Sequence, residues 1–488
     1  MRVLSRLSMV LITALITIAN ATFGAQPPDV VQSDSGQNTA MGSFALLNLS
    51  TGTGNTAAGI NALQSNTTGI NNIAYGGGVL QFNTTGSSNT ASGILALSSN
   101  TTGGGNTASG SQALFSNTIG NNNTAFGISA LQLNTTGSAN SAAGAYALTN
   151  NTTGIRNTAF GAGALQSNTT GDRNTASGLN ALTSNTTGIN NTASGGNALA
   201  SNTTGSSNTV SGYAALYSNT TGYNNNATGA LALTSNTTGY YNNAAGYSAL
   251  SANTTGTNNN AQGSFALSAN TTGYGNSAMG ANAFLNLTTG FRNVGVGNNT
   301  GTNVLAGAYD TYIGWGAAGT ADETGVTRIG NPTFASAIYV AGVSGAVLTG
   351  AAVYVTASGQ LGVLASSERY KTDIATLPAP TDRLGQLRPV SFHLKSEPKG
   401  TLQYGLIAEE VAKIYPELVL HDQSGQIQGV RYDELAPLLL SEVQEQRRTL
   451  AAQEQELAAE EQELAELRSQ NQEVRAALQA LRARKSTD

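Results

Sequence analysis

The chain is 488 residues long, contains 59 glycines and only 10% charged residues, and carries a formal net charge of −5. With no basic stripe to neutralise phosphates, these numbers exclude a nucleic-acid binder. There is no cysteine and only two histidines, His393 and His421, so neither a disulfide framework nor a metal site is expected, and no cofactor.

In chain order, residues 1–25 come first. Arg2 and Arg6 precede an apolar run from Leu7 to Ile18, and small residues follow up to Ala25. That pattern reads as a secretory signal peptide. The alternative is a membrane anchor, but the run falls short of the roughly 20 residues a spanning helix needs. Removal of the signal leaves no stable membrane span, so a secreted or cell-surface protein is expected.

Residues 37–297 repeat with a period of 17, as in NTAFGAGALQSNTTGDR from Asn157. One glycine column runs without a slip from Gly42 to Gly297, a second from Gly52 to Gly290, and a leucine column from Leu46 to Leu267. A period this short makes each repeat one coil of a stack. Seventeen residues allow two short strands and two turns, with Asn, Thr and Gly at the turns. The expected fold class is therefore mainly β: a parallel β-solenoid. Asn38, Asn55, Asn72 and Asn89 form one column of a side-chain ladder. At about 4.8 Å per coil, some fifteen coils give a rod on the order of 70 Å.

Only the Ala40, Ala45 and Leu46 columns are consistently apolar. Three modest side chains per coil bury little area against the ordering entropy of the chain, which predicts association of several chains into a homo-oligomeric stalk. Here the repeats resemble the β-roll heads of trimeric autotransporter adhesins, although the barrel that anchors those proteins is not found.

The position after the NTTG glycine becomes aromatic late in the array, at Tyr223, Tyr240, Tyr274 and Phe291, with Thr257 between. Two readings stay open: a ladder that binds a cell-surface glycan or receptor, or rings that pack structurally. The many Asn-Thr-Thr sequons follow from the repeat itself. An ice-binding surface is a poor fit, because adjacent threonines such as Thr67 and Thr68 point in opposite directions.

Beyond Gly297 the period dissolves. Residues 298–365 read as a Gly-rich β junction with short segments at 338–342 and a hairpin around Val353, Val355 and Val363. Charge returns abruptly with Glu368, Arg369 and Lys371, placing a boundary near Ser366. A serine becomes a nucleophile when a base takes its proton, and a desolvated lysine is the usual base where no histidine is at hand. Ser366 and Lys371 are candidates for such a dyad, with Arg369 and Glu368 ordering the loop. The competing reading makes Ser366 or Ser367 the cap of a short helix.

The segments SSERYKTDI, LRPVSFHLK, YGLIAEEV and GVRYDELAPLL resemble the intramolecular chaperone autoprotease of endosialidase tailspikes and other tail fibres. The motif Ser-x-x-Arg-x-Lys falls on Ser366, Arg369 and Lys371. The resemblance implies a small α/β module over residues 366–434 that acts within a homotrimer. It also implies that Ser366 attacks the Ala365–Ser366 bond with Lys371 as base, as a single-turnover serine peptidase. Ser367 departs from the acidic residue that family often carries.

From Val443 to Leu478 residues recur every seven positions, with Leu467, Val474 and Leu481 three further on. This predicts a coiled-coil helix over 435–485. Asn471 takes a core position, where a polar side chain sets register; a buried Asn there is most familiar in dimers, against the trimer the resemblance implies.

Overall fold

The computed structural model describes residues 32–331, 333, 352–356, 360–377, 383–422 and 424–485. The signal segment 1–25 and the β segment expected at 338–342 lie outside the described residues. The chain divides into two compact units, 1–339 and 340–488.

The first unit is the expected parallel β-solenoid. Its 19-stranded sheet opens with β1 (Gln32–Ser33), antiparallel to β2 (Thr39–Met41). Parallel three-residue strands then follow at steps of 17 from β2 and β3 (Thr56–Ala58) to β18 (Thr311–Ile313), with β19 (Thr327–Ile329) last. The ladder thus continues past Gly297, where the consensus ends, because pairing depends on spacing and not on residue identity.

The coil 157–173 shows why these residues build it. Thr158 and Phe160 point outward while Ala159 is fully buried. Gly161 turns the corner at φ +131°, and a Cβ there would lie 2.4 Å from the Gly178 carbonyl oxygen of the next coil. Ala164 and Leu165 then fill the interior. Two strands per coil had been expected, and there is one. Gly163 and Leu165 adopt left-handed backbone, at φ 68° and 51°, which breaks the second segment into turns. Its amides still bond between coils, as from Leu165 N–H to the Ala181 carbonyl at 3.0 Å.

The interior also holds more than three columns. Asn157 and Asn168 are fully buried. The Asn157 backbone N–H donates to Asn140 Oδ1 at 2.9 Å, and its Nδ2 donates to the Gly171 carbonyl at 2.8 Å. Asn168 Nδ2 donates to Asn151 Oδ1 at 2.8 Å and to the same Gly171 carbonyl at 3.0 Å. Each such bond contributes about 0.5–1.5 kcal/mol net, and leaving the amide unpaired in the interior costs more. The single chain therefore has a fuller core than its apolar columns suggest. Thr169 Oγ1 donates to the Thr186 carbonyl at 3.1 Å, so that threonine column is committed to the stack.

Both asparagine columns end in this unit. The second stops at Asn270, whose Oδ1 has no partner because Leu287 follows. The first reaches Asn293 and is then replaced by buried Asp310. Asp310 Oδ1 accepts from Val326 N–H at 2.9 Å, whereas Oδ2 is buried and unpartnered. Burial pushes this carboxyl up from its ordinary range, assisted by the charge of Glu323 and opposed by the Val326 bond and by Arg328. In the same coils Phe284 meets fully buried Tyr312 edge-on at 5.6 Å. The Tyr312 hydroxyl donates to Glu323, which Arg328 also grips, with Nη2 to Oε2 at 2.6 Å.

In the second unit, β20 (Tyr354–Val355) and β21 (Leu361–Gly362) form the expected antiparallel pair. Two further pairs follow: β22 (Val390–Phe392) with β23 (Gln403–Gly405), and β24 (Val419–His421) with β25 (Ile427–Val430). Helix α1 (Ala408–Ile414) lies between the pairs, and helix α2 (Tyr432–Lys485) ends the described chain. Pro437 lies inside α2, one turn beyond its start, and supplies no N–H for the Asp433 carbonyl. No helix among the described residues is long and apolar enough to cross a membrane.

Candidate functional site

The junction is laid out by a few local bonds. After β21 the chain runs without regular secondary structure through Ala365 and Ser366 into a 3-10 turn, Glu368–Tyr370. Tyr370 N–H donates to the Ser367 carbonyl at 3.0 Å and Lys371 N–H to the Glu368 carbonyl at 2.9 Å. Ser367 holds the cap position with φ −68° and ψ 141° but makes no side-chain capping bond. The helix ERYKTDI of the capping alternative is thus reduced to a single turn. The Arg369 guanidinium lies over the Tyr370 ring, 4.7 Å from its centre.

That turn brings Ser366, Glu368, Arg369 and Lys371 into one short, exposed segment. Among the described residues no hydrogen bond joins Ser366 to Lys371. A serine and a lysine on one exposed turn can act together only if something removes water from the lysine, since only its uncharged form takes up a proton.

The folded part of the unit stands on a small core of Val411, Tyr415, Leu418, Val419, Val430 and Leu435. Three of the motif segments, LRPVSFHLK, YGLIAEEV and GVRYDELAPLL, meet around it, and SSERYKTDI does not. Leu406 N–H donates to the Tyr432 hydroxyl at 2.7 Å, tying the end of β23 to the start of α2. Gly405 precedes that bond because a Cβ there would lie 2.6 Å from the same hydroxyl. Arg388 clasps Glu410 with two bonds, Nη2 to Oε1 at 2.6 Å and Nε to Oε2 at 3.1 Å, and holds that carboxyl below its usual range. Arg383 covers the Tyr415 ring at 4.1 Å and donates from Nε to the Ile414 carbonyl at 3.0 Å. On the hairpin after β24, Asp422 accepts from Ser424, Gln426 and Gln428, which draws its pKa down to about 2. Sequence reasoning missed Arg388, Glu410 and Tyr432 as structural ties. They lie inside the recognised segments, but nothing in their spacing pairs them.

A groove of about 600 Å³ runs beside this core, lined by Leu384, Leu387, Val390, Tyr404, Leu406 and Leu439 among others. It is apolar and holds none of the four junction residues. Along α2, Leu450, Leu457, Leu464, Leu467, Val474 and Leu478 are all exposed on the single chain, and Asn471 is exposed among them.

The aromatic ladder belongs to the first unit. Tyr223 stacks on Tyr240 at 4.8 Å with planes 4° apart, and Tyr274 stacks on Phe291 at 5.0 Å with planes 6° apart. Tyr241 stands edge-on to the first pair and Tyr309 to Phe291. The rings in each pair cover one another's faces along the solenoid.

Residues 366–420 match the model of the Peptidase_S74 family, described as chaperone of endosialidase. The match begins at Ser366 and agrees with the resemblance read from the sequence. No curated protein and no solved structure matches the chain.

Proposed function

We propose that the chain is an exported homotrimeric fibre whose C-terminal module aligns three copies and then cuts itself free at Ala365–Ser366. The observation that carries this reading is the coincidence at Ser366: the chaperone match starts there, at the return of charge, on an exposed turn holding Ser-x-x-Arg-x-Lys. The exposed leucines of α2 would pair between chains, bringing three long stacks into register before their slow non-local pairing begins. Assembly would also bury the 366–371 turn and strip water from Lys371. Its amine would take the Ser366 hydroxyl proton as Oγ attacks the Ala365 carbonyl carbon. The C–N bond would break, the Ser366 nitrogen would leave with a proton, and water would hydrolyse the ester between Ala365 and Ser366 Oγ. The products are a solenoid ending in the Ala365 carboxylate and a separate module, 366–485 and the residues beyond. Loss of the aligning element leaves the fibre kinetically trapped. The proposed domain limits are a signal peptide at 1–25, the 17-residue consensus repeats of the solenoid at 37–297, a junction at 298–365 into which the ladder runs on, the module at 366–434 and a coiled coil at 435–485.

Intact-mass analysis of the expressed chain tests this. The wild type should yield a fragment ending at Ala365, and Ser366→Ala and Lys371→Met should stay whole. Continued cleavage of Ser366→Ala at Ala365 would falsify the dyad. The second reading is a surface fibre with an inert C-terminal trimerisation domain, favoured by the lack of any bond between Ser366 and Lys371 on the single chain. It predicts oligomers and no fragment.

A further inference from the structure

Two outward columns of the solenoid belong to neither asparagine ladder. One is the last residue of each strand, and the other is the residue just after the corner glycine, two positions on. Both carry large apolar side chains that stand about half exposed or more, including Tyr75, Phe126 and Phe160 in the first and Ile94, Leu179 and Tyr213 in the second.

In most coils from Met41 to Asn298 only one of the two positions is bulky, although Ser194 with Gly196 and Thr228 with Ala230 are small at both. Where the strand end is bulky the corner residue is small: Tyr75 goes with Gly77, Phe160 with Ala162. Where the corner is bulky the strand end is small: Ile94 goes with Ser92, Leu179 with Ser177, Tyr213 with Ser211 and Tyr247 with Ala245. In one coil Phe126 and Ile128 are both bulky, and the coils on either side carry Ser109 with Ser111 and Ala143 with Ala145. A packed contact has room for about one bulky side chain at each level, because such contacts are filled to the density of a protein interior.

We infer that this edge is an interface between copies of the chain, packed parallel and level. The strand-end column of one copy meets the corner column of the next, coil against coil. The inference rests on the self-association proposed above and adds which face makes it. Three observations single out a second copy as the occupant. Most coils carry at most one bulky residue at the two positions, so a partner whose coils stand at the same height sets a small residue against each bulky one. An antiparallel copy would set the first coil against the last. From Met41 and Ser43 to Val296 and Asn298 the two columns contain no charged residue, so identical edges meet without repulsion. A contact joining two different columns is head-to-tail, and around an axis parallel to the solenoid it closes into a ring.

The absence of native cysteine makes the test direct. Full-length chains carrying Ser109→Cys and Ser111→Cys, which share a coil, are co-expressed and treated with a short bis-maleimide. They should cross-link between chains at least ten-fold more than Ser109→Cys with Ser264→Cys, nine coils apart in the corner column. Adding Ile128→Glu should cut that yield about ten-fold, whereas Ile189→Glu, on a different outward column, should leave it unchanged. Both side chains are exposed on the single chain, and unchanged circular dichroism and melting would show that each variant folds. Equal yields for the level and offset pairs, or a yield indifferent to Ile128→Glu, in chains that still sediment as oligomers would overturn the interface while leaving self-association standing. A wild-type chain that sediments as a monomer would overturn both.

Discussion

The solenoid and helix α2 treat their apolar side chains in opposite ways. In the solenoid one chain suffices: Ala159, Ala164 and Leu165 are fully buried, and Asn157 and Asn168 bond to the coils on either side. In α2 the heptad leucines from Leu450 to Leu478 are exposed. A stack with a translational repeat is its own partner, since each coil presents to the next what the next requires. Among the described residues helix α2 has no such neighbour, and under the function proposed above other chains would cover its stripe. The difference separates what folds alone from what has to be completed by assembly.

The comparison can be broken first at the helix, where the effect should be largest. Leu464→Ser with Leu467→Ser should weaken self-association by about 100-fold or more in dissociation constant, since each buried leucine contributes about 1.5–3 kcal/mol. Sedimentation measures this, and the melting of the solenoid should not move. Unchanged association would mean that α2 does not hold the chains together. In the solenoid, Gly161→Val forces a side chain against the next coil's backbone at a left-handed position, so it should cost about 3 kcal/mol or more. Chemical denaturation of the chain reads this, and a midpoint within error of wild type would contradict the close approach.

Asp310 sharpens the contrast from inside the stack, as an oxygen standing where sixteen coils place an amide nitrogen. Its raised pKa means that the folded coil holds the proton more tightly than the unfolded chain does. The coil is therefore most stable below the ordinary carboxylate range and loses that advantage as pH rises through the raised value. Glu323, Arg328 and the Val326 amide face it, and none of them supplies a proton to Oδ2. Asp310→Asn restores a donor, so it should stabilise the last coils by about 1–3 kcal/mol at neutral pH. It should also flatten the pH dependence of amide exchange over residues 311–329. An unaltered pH profile would show that the carboxyl is not the titrating group. The smallest effect belongs to the aromatic ladder, where Tyr240→Ala should cost about 0.5–1.5 kcal/mol beyond lost area, measured by the same denaturation.

The solenoid was legible because its period is strict: Gly42 to Gly297 announces coil length, strand direction and the inward alanine without reference to any contact. The apolar residues alone understate the core. Asn168 looks like a turn residue in sequence, and only the stacked geometry shows that its amide reaches both Asn151 and Gly171. The left-handed backbone at Leu165 was hidden as well, since leucine rarely adopts it. At the junction, Ser-x-x-Arg-x-Lys located the turn but could not show how Ser366 and Lys371 lie in space. The ties from Arg388 to Glu410 and from Leu406 to Tyr432 span 22 and 26 residues. Contacts of that kind leave no periodic trace.

Because the bonds of the interior, within a coil or to the next, recur with the 17-residue period, the stack has no preferred number of coils. A gene encoding near-identical units of 17 residues can gain or lose one by unequal recombination, and the flanking coils then close on each other with every bond restored. Each such event changes the rod by about 4.8 Å. Reach is thereby a heritable quantity that varies in fixed steps without any new folding problem to solve.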